Sequence, residues 1–119
     1  MSWGSKTQIM TGAAVTGAEI FSSAVTLTPK NTIDIEVQGN SSGTTDDLIV
    51  NVYSTLDDSL ESWDTVPLMS FILDCTSGGD NKISFIIKDF YKFRIGVIRK
   101  GTTDTIATDI WYRSDGVDL

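Results

Sequence analysis

The chain is 119 residues long, 40% apolar and 21% charged, a balance that excludes a disordered or fibrous chain and fits one domain. A fold of this size buries roughly 65% of the surface its unfolded chain exposes, enough for a core without disulfide or metal staples. The net charge of −7 comes with nine scattered basic residues, which excludes the basic stripe of a nucleic-acid binder and disfavours an anionic membrane as partner.

Residues 1–17 are low in charge and rich in Gly, Ala, Ser and Thr, and read as an N-terminal arm or lead-in to a sandwich domain over 18–119. Within the arm, Gln8-Ile9-Met10 is a short strand candidate and Thr11-Gly12-Ala13 a turn. Ala18 to Phe21 and Ala24 to Thr28 are short strands around Ser22-Ser23. From Thr32 to Gln38, Ile33, Ile35 and Val37 alternate with Asp34, Glu36 and Gln38, the period of a strand with one dry and one wet face. Gly39 to Gly43 is a loop by composition.

Leu48, Val50 and Val52 mark the next inner face, with Tyr53 on the other side. Asp57-Asp58-Ser59 opens a turn, the best single helical turn lies near Leu60, and Trp63-Asp64 leads to Pro67. Met69, Phe71 and Leu73 alternate again, and Cys75 continues their face as a buried thiol. After the turn at Ser77 to Asn81, Ile83, Phe85 and Ile87 point inward. Asp89-Phe90 is a corner, and Tyr91, Phe93, Ile95 and Val97 follow. Lys100 to Asp104 reads as a hairpin connection into a last strand carrying Ile106, Thr108, Ile110 and Tyr112. Short alternating strands at this spacing predict an all-β, antiparallel sandwich, jelly-roll or immunoglobulin-like, or else a small barrel.

Catalytic chemistry is poorly supplied. The chain has no histidine, which removes Ser-His-Asp and Cys-His catalysis, and one cysteine, which rules out an intrachain disulfide or a zinc ribbon. The pairs Asp46-Asp47 and Asp57-Asp58 read as solvated turn residues, because neighbouring strand positions face opposite ways and Asp bonds its own backbone in turns. The loops at Asp57-Asp58-Ser59 and Gly78-Gly79-Asp80-Asn81 lack the spacing of a calcium loop. No catalytic, cofactor or metal residue is therefore expected, and the chain is read as a binding or building protein. The aromatic residues are the better lead. Trp111 shares the face of Ala107, Asp109 and Arg113, opposite Ile106, Ile110 and Tyr112, and is either an outward anchor for a partner or a sugar or a ring packed under a neighbouring loop. Trp3, Ile9 and Met10 are contact candidates in the arm, Trp63 staples its hairpin or joins the contact, and Arg113 flanks Trp111.

Two stretches carry a resemblance. Val52 to Thr65, with Tyr53-Ser54-Thr55-Leu56-Asp57 and Trp63-Asp64, resembles a strand–turn–strand hairpin of extracellular and virion β-sandwiches. Phe93-Arg94-Ile95-Gly96-Val97, Gly101-Thr102-Thr103-Asp104-Thr105 and Trp111-Tyr112-Arg113-Ser114-Asp115-Gly116-Val117 together resemble the ending of small virion proteins of tailed bacteriophages, the decoration, cement or head-auxiliary type. The resemblance implies a structural protein made in the host cytoplasm and placed on the capsid surface. Its partner would be the major capsid protein, its form a small oligomer with a trimer favoured, and residues 1–17 an arm along the shell. A tail or head-fibre location is the structural variant. A carbohydrate-binding module built on Trp111, Trp63 and acidic loop residues is the reading from another class.

Overall fold

Alternation of β-branched and polar residues gives strands that each offer one apolar face, and two such sheets bury those faces against each other. The computed structural model describes residues 6–26, 32–55, 63–88 and 92–114. Among them are β1 (Thr7–Val15), β2 (Ile20–Phe21), β3 (Val25–Thr26), β4 (Thr32–Ser41), β5 (Asp47–Thr55), β6 (Met69–Leu73), β7 (Gly79–Lys88), β8 (Lys92–Lys100) and β9 (Ile106–Ser114), with no helix. The first sheet has the order β1-β9-β4-β7, and the second β2-β8-β5-β6 with β3 also on β8. Every pairing is antiparallel.

The pairs are nested. β5 pairs β6, β4 pairs β7, β2 and β3 pair β8, and β1 pairs β9, so the chain is one long hairpin coiled until successive pairs alternate between sheets. That order is the jelly roll, and it resolves the alternatives left by the alternation pattern. The core lies between the sheets. Ile33, Ile35 and Val37 of β4 and Ile106 and Ile110 of β9 face Leu48, Val50 and Val52 of β5 and Phe93, Ile95 and Val97 of β8, all fully buried. Cys75 is buried with them; burial and the nearby Asp47 carboxylate push its thiol up to about 11.

Five sequence expectations are corrected. Residues 7–15 are not an arm: β1 pairs β9 from Thr7↔Tyr112 to Val15↔Ile106 and sends Ile9, Met10 and Val15 into the core. The register slips between Gln8 and Met10 and again before Ala13, where Gly12 takes a left-handed φ of 54°. The bulge turns two consecutive residues, Ile9 and Met10, to the same side, which erases the two-residue period. The Thr11-Gly12-Ala13 turn is the second slip, between Met10 and Ala13. Gly39, Asn40 and Ser41 are likewise strand residues, paired with β7 on one side and β9 on the other, because a central strand draws its pairing from both neighbours whatever its side chains.

The Lys100 to Asp104 connection does not close a hairpin, since β8 and β9 belong to different sheets. It carries the chain over the end of the sandwich. The strand that returns along β5 is β6, from Met69, later than the Trp63-Asp64 of the expected hairpin. The intervening segment stays close to β5 through Asp64 N–H to Ser54 O at 3.3 Å and Leu68 N–H to Val52 O at 2.8 Å. Met1 to Ser5, the turn at Asp57-Asp58-Ser59, the helical turn at Leu60 and the corner at Asp89-Phe90 lie outside the described residues.

Candidate interaction faces

A sandwich sends alternate side chains outward, so each sheet has an outer face whose composition the core does not dictate. On the second sheet the outer face falls into rows across β6, β5 and β8. Ile72, Ile49 and Ile98 form one row, and Ser70, Asn51 and Gly96 the next. Tyr53 lies opposite Arg94 in the row after, and Phe21 of β2 pairs with Gly96. Ile72 is 55% exposed.

The Arg94 guanidinium lies 3.9 Å from the centre of the Phe21 ring and 4.7 Å from that of Trp63. Phe21 in turn meets Tyr53 edge-on, with ring centres 5.7 Å apart. This is a cation held over two aromatic rings, which fixes a long, rotamer-rich side chain in one place before any partner arrives. Beside it the Glu19 carboxylate accepts from the Tyr53 hydroxyl at 2.9 Å and from Asn51 Nδ2 at 3.0 Å, and Ser70 donates to Asn51 Oδ1 at 2.7 Å. Gly96 makes room for this network, since a Cβ there would strike the Glu19 carboxylate and the Tyr53 ring. Burial, and then the hydrogen bond and charge of Glu19, raise the pKa of Tyr53 and keep it a neutral donor.

The outer face of the first sheet is a lattice of charges. Trp111 lies between Gln8 of β1 and Glu36 of β4. Lys6 Nζ sits 4.9 Å over the Trp111 ring and 3.0 Å from Glu36, while Lys82 approaches Glu36 at 3.8 Å and Arg113 approaches Asp34 at 3.6 Å. Lys6, Asp34, Glu36, Trp111, Tyr112 and Arg113 line a shallow cleft of about 220 Å³. Trp111 and Arg113 therefore point outward and lie side by side in one cleft, with the indole half-buried. Trp63 stacks over the outer face of the other sheet. The two indoles lie on opposite sides of the sandwich and do not form one sugar platform.

Ile9 and Met10 are core residues and are not available to a partner, and Trp3 lies outside the described residues. Asp46 is not a solvated turn residue. It is buried, and its Oδ2 accepts from the backbone N–H of Thr103 and Asp104, each at 2.7 Å. Asp104 returns the arrangement: its Oδ2 accepts from the backbone N–H of Thr45 at 2.9 Å and of Asp46 at 3.0 Å. Arg99 ties the clasp, 3.6 Å from Asp46 and donating to the Asp104 carbonyl at 2.6 Å. Among the described residues no group of three or more His, Cys, Asp or Glu is placed to hold a metal. The carboxylate pair joins the β4–β5 loop to the β8–β9 loop; with its oxygens aimed at amides, its chemistry is that of a fastener.

Sequence reasoning passed over Phe21, Glu19 and Arg94 as a group. Phe21 and Arg94 meet only because β2 lies on β8, and nothing local marks a contact across that separation. One signal was present: Gly96 inside an alternating strand marks a close approach of another group to the backbone. No protein-family model matches the chain, and neither curated proteins nor solved structures yield a match.

Proposed function

We propose that the chain is a structural virion protein, a capsid decoration protein that lays the outer face of its second sheet on the major capsid protein. The observation that carries this reading is the Phe21–Arg94–Trp63 stack on the same face as the Ile49–Ile72–Ile98 row, with the Ser70–Asn51–Gly96 row between Arg94 and the isoleucines. Tryptophan and arginine dominate the energetics of protein interfaces when they are held rigid near an apolar centre, and here the rings and the cation hold one another. Many sites on a repetitive shell then convert modest single contacts into a stable coat. The net charge of −7 keeps the unattached protein dispersed and favours a basic or neutral partner surface. The absence of histidine from the chain supports a non-catalytic role.

The test is occupancy of undecorated phage heads by the purified chain, read by sedimentation and gel densitometry. Wild type saturates heads and not isolated tails, while Arg94→Ala and Ile72→Asp each weaken attachment about tenfold or more. Full attachment of both variants, or attachment to tails alone, overturns the assignment.

A further inference from the structure

Sheet edges are where a sandwich is chemically unfinished, because the backbone N–H and C=O groups of an edge strand have no ladder partner on one side. Three of the four edges here are blunted. β1 slips register twice, between Gln8 and Met10 and between Met10 and Ala13, β2 and β3 have two residues each, and β6 has five. β7 is different. Its ten residues pair with β4 without a register shift, from Thr32↔Lys88 to Ser41↔Gly79, and among the described residues it has no neighbour on its other side. Ile86 on its outer face is 57% exposed, and Ile83 and Phe85 on its inner face are only half-covered, Phe85 leaning on Phe71 with ring centres 4.7 Å apart. A long, straight edge with apolar side chains on both faces is a template for another strand.

We propose that β7 pairs antiparallel with β7 of a second copy of this chain about a two-fold axis through Ser84, joining two first sheets into one of eight strands. The charges along the strand select that register. Antiparallel self-pairing that keeps outer face beside outer face requires paired residue numbers with an even sum. Centring on Ser84 sets Asp80 opposite Lys88 of the other copy on both sides of the axis, Lys82 opposite Ile86, and Ile83 opposite Phe85. Moving the centre to Phe85 would set Lys82 against Lys88 twice, and centring on Lys82 would set two lysines face to face. Like charges directly opposite destabilise a ladder and unlike charges support it. Centring on Ile83 brings no like charges together but sets Asp80 opposite Ile86 and Lys82 opposite Ser84, so among overlaps of seven or more residues only the Ser84 register sets unlike charges opposite each other. The two-fold dimer departs from the trimer that the resemblance implied. It does not rest on the capsid reading, since it uses the edge of the first sheet and leaves the outer face of the second free.

The experiment is a concentration series of the full chain by sedimentation equilibrium, with a charge-swap cycle and a cross-linking control. Wild type reaches a mass of two 13.0 kDa chains. Asp80→Lys and Lys88→Asp each weaken the dimer about tenfold at low salt, and the double variant restores it to within about threefold of wild type. Ser84→Cys, on an exposed position, gives a disulfide-linked dimer on mild oxidation, and Lys82→Cys does not. Far-UV circular dichroism and melting curves confirm that each variant is folded. A monomer at every concentration, a trimer, or a dimer indifferent to the charge swap and to Ser84→Cys overturns the proposal.

Discussion

Asp46 and Asp104 each serve as the hydrogen-bond acceptor for the other's loop. In Asp46→Ala the amides of Thr103 and Asp104 lose their acceptor in a buried site, at a cost of about 2–4 kcal/mol, and urea denaturation shows it as a lower midpoint with an unchanged slope. The pH dependence belongs to Asp104. The amides of Asp46 and Thr45, with help from the Ser41 hydroxyl and the Arg99 charge, hold its carboxyl below the usual carboxylate range. The folded state therefore gives up this proton at a lower pH than the unfolded chain does. Its contribution to stability is complete above about pH 4 and is lost as pH falls through the depressed folded value. The stability difference between wild type and Asp104→Asn is expected to be flat from neutral pH down to about pH 5 and to shrink below about pH 4. A difference that grows toward acid would show that Asp104 is not the group involved. Neither role was visible in the chain: an Asp in a loop reads as solvated, and only the crossing of two loops gives it amides to hold.

At the scale of elements, β1 is the strand whose character matters most. Read as an arm, residues 1–17 would be dispensable for folding and needed only for attachment. Read as a strand, residues 7–15 contribute Ile9, Met10 and Val15 to the core and close one side of β9. Deleting them leaves a row of buried side chains on β9 facing water, so the truncated chain is expected to lose cooperative unfolding and bind a hydrophobic dye in buffer alone. A truncated chain with a sharp melting transition would restore the arm. The strands with strict alternation, β4, β5 and β8, were legible with their inward faces. β1 was not, because its bulge spends two adjacent apolar residues on one side of the sheet. The outward Trp111 was legible for the same reason as the inner faces, while the stack of Phe21, Arg94 and Trp63 was not.

At the scale of the molecule, the jelly roll arranges three surfaces with different chemistry. The outer face of the second sheet carries an isoleucine row and an aromatic stack around Arg94 with a polar network between them, that of the first is a lattice of ion pairs around Trp111, and the β7 edge is long and unblunted. Composition and a period of two are enough to specify the all-β character, one apolar and one wet face for most strands, and the lack of histidine chemistry. The tertiary structure alone decided which strand lies beside which. That choice made β1 a sheet member, turned Asp46 and Asp104 into a clasp, put Trp63 and Trp111 on opposite sides and left β7, among the described residues, with β4 on one edge and no strand on the other. The physical reason is that alternation specifies which way a side chain points and carries no information about its neighbour on the next strand. In a nested fold, that neighbour is usually far away along the chain.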